Sequence, residues 1–332
     1  MEKSSNGEIN KTVKVHPVDT DRTLLDYLVL SVKGFCMGIA DVIPGVSGGT
    51  IAFILEIYED FIKSIKSFDV KFLKLFLSGK FGEAFSSVAW RFFASVVTGI
   101  ACAILLFSRV ISWLLRDHPV LINSFFFGLI LATVPIIAGA MKKWDAKKVS
   151  ALVISAVGTF YFVQLTPVAT PEAWWFVFAS GALAICAMIL PGISGAFILL
   201  LLGKYQFILN AIHSRDIVTM LIFMAGVAVG ILSFVRILEW LFRRFHDMTI
   251  AVLAGIVLGS LNKIWPWKKI LDVITTSSGK VMPIKEINCM PVDADSQVLI
   301  AVFLVVTGCA VAFLLHAVPQ RHFGGKKQRL DG

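Results

Sequence analysis

Long apolar segments separated by short polar ones follow one another along almost the whole chain. A helix needs about 20 residues to cross the hydrocarbon core of a bilayer. Six of the eight segments are read as one such helix each, while the first and the fifth are about twice as long. The pattern predicts an all-α polytopic integral membrane protein. The segments lie at about residues 24–62, 92–115, 119–139, 149–166, 173–210, 217–242, 249–264 and 297–318.

Each of the two long segments is interrupted near its middle by Pro-Gly, at Pro44–Gly45 and at Pro191–Gly192. Proline lacks a backbone donor and disfavours a helical conformation in the residue before it, so the helix breaks at both places. Each long segment is therefore predicted to be a pair of short helices. The pattern alone allows either a re-entrant hairpin or two crossings.

The two halves of the chain, residues 24–166 and 173–318, resemble each other in the order of their segments and in many identical residues. Around the breaks, Gly34, Pro44, Gly45, Ser47, Gly48, Ile51, Leu55 and Tyr58 match Gly181, Pro191, Gly192, Ser194, Gly195, Ile198, Leu202 and Tyr205. Farther on, Gly99, Phe107, Arg109, Trp113 and Gly128 match Gly226, Phe234, Arg236, Trp240 and Gly255. The chain is thus predicted to consist of two repeats.

Lysine and arginine concentrate on one side of the predicted membrane if each broken segment makes an even number of crossings. The positive-inside rule places that side in the cytoplasm. Each repeat then makes an odd number of crossings, so the second is inverted relative to the first, as in many transporters. The tails 1–23 and 319–332 are then cytoplasmic, and the loop 265–297 is extracytoplasmic. The basic amphipathic insert 63–85 is typical of a helix lying on anionic membrane lipids.

The composition agrees with a membrane protein, since 57% of the residues are hydrophobic and only 16% are charged, against about 25% charged in soluble domains. The net charge of +9 comes largely from basic residues between the apolar segments, which topology explains without a nucleic-acid partner. The five cysteines show no metal-type spacing, so neither a metal nor a cofactor is expected. The oligomeric state stays open.

The two breaks are the candidate binding site. A helix that starts after a break presents unpaired backbone N–H groups, which bind anions, and small residues leave the backbone open to a phosphate. Tight packing of small residues between membrane helices is the alternative explanation, but it does not require a duplicated Pro-Gly. The predicted phosphate-binding residues of the breaks are Gly45, Ser47, Gly48, Gly49, Thr50, Gly192, Ser194 and Gly195.

Four cations in or beside apolar segments are candidate counter-charges for the anion, namely Lys33, Arg91, Arg109 and Arg236. An unpaired charge at the bilayer centre costs at least about 2.5–3.5 kcal/mol. Arg109 and Arg236 are the stronger candidates because the repeat duplicates them. Arg91 begins its segment, where its side chain can snorkel to the membrane surface, and Arg236 has Glu239 as an alternative partner.

Asp41 and Glu56 are the acidic residues nearest to the first break, and Met188 and Gly203 take their places in the second repeat. This asymmetry makes both carboxylates candidates for coupling transport to protons or to another ion. The alternatives are a helix cap for Asp41 and a water-exposed helix end for Glu56.

An enzyme is the weakest functional hypothesis. The short pattern Gly-x-Ser-Gly occurs at both breaks, as in rhomboid intramembrane proteases. A serine nucleophile needs a base within hydrogen-bond reach, yet the histidines lie in tails, in loops or near helix ends, so no catalytic residue is assigned. A small-anion channel or exchanger that uses the same helix N-termini is the main alternative to a transporter of an anionic lipid.

The run Gly38–Ala52, with Tyr58 after it and Pro191–Gly195 in the second half, resembles the motif of the bacterial membrane proteins of domain-of-unknown-function family 368. The resemblance extends over nearly the whole chain, from about residue 24 to 318. Members of that family are assigned as undecaprenyl-phosphate translocases. The resemblance therefore implies a flippase of the bacterial cytoplasmic (inner) membrane. Its partner would be undecaprenyl phosphate, the carrier lipid of cell-wall and surface-polymer synthesis, which it would return from the outer to the inner leaflet.

Overall fold

The computed structural model describes a chain that is mostly helical. The described residues are 18, 22–43, 45–168, 170–275, 281–291 and 296–317. Pro44, most of the predicted tail 1–23 and the whole predicted tail 319–332 lie outside the described residues.

Helices form along both predicted halves of the chain. Those of the first half are α1 (Leu24–Asp41), α2 (Gly48–Ile54), α3 (Tyr58–Ser67), α4 (Val70–Leu77), α5 (Phe81–Ser86), α6 (Trp90–Asp117), α7 (Pro119–Gly139) and α8 (Ala146–Phe162). Those of the second half are α9 (Trp174–Ile189), α10 (Gly195–Leu201), α11 (Tyr205–His213), α12 (Ile217–Ser260) and α13 (Ser296–Ala317). A short 3₁₀ helix, η1 (Leu261–Ile264), follows α12.

Two strands correct the prediction of an entirely helical chain. β1 (Lys268–Thr275) and β2 (Val281–Asn288) form an antiparallel hairpin within the segment that was predicted to be a loop. Both strands are rich in isoleucine and valine, which favour strands. The charged residues among them make the segment too polar to cross a membrane as a helix.

Within the described residues, four helices are long and apolar enough to cross a membrane. They are α6, α7, α12 continued through η1, and α13. The bent pair α10–α11, whose axes differ by 103°, makes a fifth if it is counted as one span. The protein is therefore a multi-pass membrane protein.

The close crossing between α1 and α6 occurs again between α9 and α12. Gly34 and Gly99 lie where α1 crosses α6, and an added Cβ would approach a carbonyl oxygen of the other helix to 2.2 Å or 2.0 Å. Gly181 and Gly226 hold the matching positions where α9 crosses α12. There an added Cβ would approach a carbonyl oxygen of the other helix to 2.4 Å or 2.0 Å. Small residues permit such close approach between membrane helices, so the glycine matches in the sequence correspond to matching contacts.

The turn between α6 and α7 also has a counterpart. His118 in this turn has φ −136° and ψ 49°. Phe245, within α12, has φ −136° and ψ 47°, and it follows the matched Trp240 at the same distance as His118 follows Trp113. Helix α12 thus consists of two parts that correspond to α6 and α7.

Polar side-chain contacts join several segments at one end of the molecule, which we call the paired end. These segments are the chain just before α1, helix α3, the start of α8 and the kink of α12. The contacts are Arg22–Asp60 at 2.9 Å, His246–Glu59 at 3.1 Å and Lys148–Asp247 at 3.0 Å. The chain that leaves the paired end in α1 is therefore back at the same end in α3.

Replacing Gly99 by alanine is expected to destabilise the protein, because the new methyl group would lie 2.0 Å from the Ser31 carbonyl oxygen. Overpacking of this kind costs about 1–3 kcal/mol. Gly158→Ala is the matched control, since nothing lies within 4 Å of an added Cβ there and alanine is the better helix former. Thermal unfolding in detergent measures both variants, and equal melting temperatures would contradict the close crossing.

Candidate functional site

The first break lies between α1 and α2. Gly45 has φ +91°, a conformation that favours glycine. The Oδ1 atom of Asp41 accepts a hydrogen bond from the N–H of Gly48 at 2.7 Å, and the Oγ atom of Ser47 accepts one from the N–H of Gly49 at 3.1 Å. The first N–H groups of α2 are therefore already bonded inside the protein, and Asp41 has the geometry of a helix cap.

The second break repeats the backbone of the first but not its capping. Gly192 has φ +87°, and α10 begins at Gly195 after Ser194. Met188 holds the place of Asp41. Ser194 makes no side-chain cap hydrogen bond in the described part of the chain. The two helix N-termini therefore differ, since only the first is closed by a carboxylate.

The two breaks are in direct contact. The N–H of Gly192 donates to Oγ1 of Thr50 at 2.9 Å, and the hydroxyl of Ser47 donates toward the carbonyl oxygen of Leu190 at 3.1 Å. The two breaks that the sequence marks as the candidate site therefore lie against each other. The side chains come from the first break and the backbone groups from the second.

Tyr58, at the start of α3, adds a third hydrogen bond between the halves. Its hydroxyl donates to the carbonyl oxygen of Ile189 at 3.2 Å. Ser47, Thr50 and Tyr58 are only 1%, 0% and 2% exposed. Backbone groups inside a membrane protein must find partners within the protein, so these three side chains satisfy the end of α9 and the turn after it.

These bonds change the interpretation of the predicted anion site. The hydroxyls of Ser47 and Thr50 and the N–H groups of Gly48 and Gly49 all have partners within the protein. A phosphate reaches the two hydroxyls only if the breaks separate, and it reaches the two N–H groups only if the caps from Asp41 and Ser47 also open. Phosphate binding by the break residues stays a prediction.

Two of the predicted cations have local partners. Lys33 donates to the carbonyl oxygen of Leu55, at the end of α2, at 2.8 Å. Arg91 is exposed at the start of α6 and lies 5.6 Å from the ring centre of Trp90. Lys33 thus joins α1 to the end of α2 within the first broken segment, whereas Arg91 has the position expected of a snorkelling side chain.

The two duplicated arginines lie at the depth of the breaks. Helices α1 and α6 run in the same direction with Gly38 against Ala103, so Arg109, less than two turns later, reaches the depth of the first break. The matching contacts of Gly230 with α9 place Arg236 at the depth of the second break. Both arginines are exposed, and neither has an ion pair or hydrogen bond with a residue that the structure describes.

Glu56 occupies a strained turn between α2 and α3. Its φ is +55°, a conformation that is costly for a residue with a Cβ, and the matching Gly203 has φ +62°. The Oε1 atom of Glu56 lies 3.5 Å from Nδ1 of His316 in α13. Both line a cavity of about 380 Å³, together with Pro135 and Phe313. Glu56 therefore faces a cavity at the paired end, and its role in coupling stays a prediction.

Three residues near the breaks were not predicted as site residues. Two signals singled out Tyr58, namely the repeat identity with Tyr205 and its place in the family motif, but neither gave it a role. His316 and Lys263 each lie near the end of an apolar segment. Nothing in the sequence pairs His316 with Glu56, or Lys263 with the first break.

Thr50→Val is expected to destabilise the protein by about 1–3 kcal/mol, because it leaves the buried N–H of Gly192 without an acceptor while keeping the shape of the side chain. Thr98→Val is the matched control, since Thr98 is exposed on α6. Thermal unfolding in detergent compares the two. If the two variants melt at the same temperature, the contact between the breaks does not hold the halves together.

The fold has membrane-crossing helices around two broken helices that are hydrogen-bonded to each other. It therefore defines a class of multi-pass membrane protein with a polar junction, formed by the two breaks, inside the fold. Such an arrangement is found in transporters. Comparison with known proteins narrows this class. The family model described as VCA0040-like, undecaprenyl phosphate translocase-like, matches residues 37–282. The chain belongs to this family, which confirms the resemblance to domain-of-unknown-function family 368.

Two relatives carry the same name, polyprenyl-phosphate transporter. The protein from Vibrio cholerae is 39% identical over 303 residues, which is 90% of this chain and 98% of the relative. The protein from Staphylococcus aureus is 30% identical over 252 residues, 70% of this chain and 84% of the relative. No solved structure matches the chain. The relatives are thus named as transporters and not as enzymes.

Proposed function

We propose that the protein transports a polyprenyl phosphate, namely undecaprenyl phosphate, from the outer to the inner leaflet of the bacterial cytoplasmic membrane. The observation that carries this proposal is the similarity to the polyprenyl-phosphate transporter of Vibrio cholerae, which covers 90% of this chain and 98% of that relative. Transport in this direction returns the carrier lipid to cell-wall and surface-polymer synthesis.

The junction of the two breaks is the proposed place where the phosphate crosses. A charged head group that leaves water needs charge-assisted hydrogen bonds inside the protein. In the structure, the hydroxyls of Ser47, Thr50 and Tyr58 are hydrogen-bonded to backbone groups of the second half, including the N–H of Gly192. Separation of the breaks frees these groups. The polyprenyl tail stays in the bilayer, so only the head group passes. The remaining predicted contacts are Gly45, Gly48, Gly49, Ser194 and Gly195.

Each broken segment is proposed to be re-entrant. In the first half, the contact of Arg22 with Asp60 supports this by bringing the chain just before α1 next to α3. In the second half, Lys204 donates to the carbonyl oxygen of Thr170 at 3.1 Å, which brings the chain before α9 next to the chain after α10. With re-entrant segments, each half makes an odd number of crossings and the repeats are inverted.

The paired end is proposed to face the cytoplasm. It holds the basic segment 142–148 and the arginines at the kink of α12, as the positive-inside rule requires. The insert 63–85 supports the same orientation, because Leu73, Phe76 and Phe81 of α4 and α5 are exposed near the lysines of α4 and of the turn after it. An exposed apolar face with basic residues suits the surface of a membrane with anionic lipids.

Arg109 and Arg236 are proposed to accompany the phosphate between the lipid phase and the junction, with Lys33 and Arg91 as weaker contributors. Their exposure at the depth of the breaks supports this role. A hydrogen bond to a charged group contributes about 1.5–3 kcal/mol. Loss of both arginines is therefore expected to slow transport by a factor of about ten or more.

The double variant Arg109→Gln and Arg236→Gln tests this expectation in liposomes that carry labelled polyprenyl phosphate in one leaflet. Arg116→Gln is the matched control, because Arg116 is exposed at the end of α6 and pairs with Asp117. Slow transport in the double variant and a normal rate in the control are expected. A folded double variant that transports at the wild-type rate contradicts the assignment of the arginines.

Asp41 is proposed to couple transport to a proton or another ion, with Glu56 and His316 as a second group at the paired end. Asp41→Asn keeps an oxygen that accepts the N–H of Gly48 but loses the titratable carboxyl group. We expect normal thermal stability, together with loss of the acceleration that a pH gradient gives. Transport rates with and without the pH gradient measure this acceleration. If the gradient accelerates Asp41→Asn as much as the wild-type protein, Asp41 is excluded from coupling.

The proposed function itself is tested with the wild-type protein in liposomes. Movement of labelled polyprenyl phosphate is expected, without release of trapped chloride or inorganic phosphate. Empty liposomes give the background rate. Release of either small anion without movement of the lipid favours the alternative of an anion channel and contradicts the proposal.

A further inference from the structure

One carboxylate of the β-hairpin lies between two lysines. Oε2 of Glu286 in β2 lies 2.9 Å from Nζ of Lys268 and 3.6 Å from Nζ of Lys263. All three side chains are mostly buried, with exposed fractions of 17%, 15% and 26%. Among the residues that the structure describes, these two ammonium groups share a single carboxylate, so the three side chains together have an excess of one positive charge.

The cluster lies directly on the junction of the breaks. A Cβ built on Gly45 in the first break would lie 3.0 Å from Cγ of Lys263. Nζ of the same lysine lies 5.4 Å from the ring centre of Phe197 in α10, just after the second break. On the neighbouring turn, Ser260 packs against Gly192. Lys263 therefore contacts both broken segments.

The end of β2 is bonded to η1, and the residue after β2 is bonded to the residue after η1. Nδ2 of Asn288 donates to the carbonyl oxygen of Asn262 at 2.9 Å, and Nε1 of Trp265 donates to that of Cys289 at 2.9 Å. These bonds hold Glu286 in place relative to the two lysines. Burial lowers the pKa of Lys268, so its charged form lacks part of the stabilisation that water gives.

A phosphate monoester fits this cluster better than a carboxylate does. It carries about −1.5 to −2 charges at neutral pH and offers three acceptor oxygens, so it neutralises two ammonium groups at once. A carboxylate, or the single negative charge of a phosphodiester, leaves one of them unbalanced. Charge balance therefore favours a terminal phosphate over the diester head groups of common phospholipids.

We propose that Lys263 and Lys268 form a phosphate monoester site at the end of the junction away from the paired end, and that Glu286 occupies it until the phosphate replaces the carboxylate. That the phosphate belongs to a lipid rests on the proposed function. Under that function, this is the site that first binds the lipid head group. The site also selects a monophosphate lipid from an excess of diesters.

Binding to the purified protein in detergent tests the site, with a short-chain polyprenyl monophosphate, inorganic phosphate and phosphatidylglycerol as probes. Lys263→Gln is expected to weaken monophosphate binding about tenfold or more, while Glu286→Gln is expected to tighten it by removing the competing carboxylate. Lys269→Gln is the matched control, because Lys269 neighbours the cluster in β1 but is exposed. Phosphatidylglycerol is expected to bind weakly to every variant.

The outcomes separate this inference from the proposed function. Wild-type transport of the lipid with equal monophosphate binding in Lys263→Gln, Glu286→Gln and Lys269→Gln overturns the phosphate site alone. Absence of lipid transport overturns the proposed function. In that case, the binding of inorganic phosphate still tests the phosphate site. Weaker binding to Lys263→Gln and tighter binding to Glu286→Gln than to the wild-type protein supports it. Equal binding of the monophosphate and of phosphatidylglycerol overturns the selectivity.

Discussion

The structure depends on the need to satisfy backbone polar groups inside an apolar protein. Each Pro-Gly break interrupts a helix among buried residues, and an unpaired buried N–H or carbonyl group costs about 1–3 kcal/mol. The protein meets this need by placing the two breaks against each other, so that Ser47, Thr50 and Tyr58 satisfy the end of α9 and the following turn. Neither half has these partners by itself.

The junction is built from matching backbones but unlike side chains. Thr50, which accepts the N–H of Gly192, corresponds to Phe197, and Asp41 corresponds to Met188. The first half therefore supplies polar side chains and the second supplies backbone groups. Such one-sided bonding makes the two sides of the junction chemically different.

Different charges lie at the two ends of the protein. Lys263 and its partners cover the junction on one side. On the other side Glu56 and His316 line a cavity at the paired end. A phosphate on the proposed route would meet an excess positive charge first, then the hydrogen-bonding groups of the breaks, and last a titratable pair.

The sequence was sufficient for features that depend on local chemistry or on internal repetition. Pro-Gly located both breaks, and the matched glycines, such as Gly34 and Gly181, located the helix crossings. The β-hairpin was not predicted, because its polar, β-branched segments were read only as a loop between membrane helices.

Contacts between distant residues were the other part that the sequence did not reveal. The bond between Thr50 and Gly192, and the contact of Lys263 with Gly45, join residues whose types give no sign of their partners. Arg109 and Arg236 were predicted as a pair from the repeat, but their exposure became visible only in the fold.

The central claim is that the two breaks form one phosphate site when their mutual bonds open. A cryo-electron microscopy structure with a bound short-chain polyprenyl phosphate tests it most directly. The account predicts phosphate density between the breaks, within hydrogen-bond distance of groups from both, and loss of the bond between Thr50 and Gly192. Phosphate bound elsewhere in a transport-competent protein, with that bond intact, would contradict it.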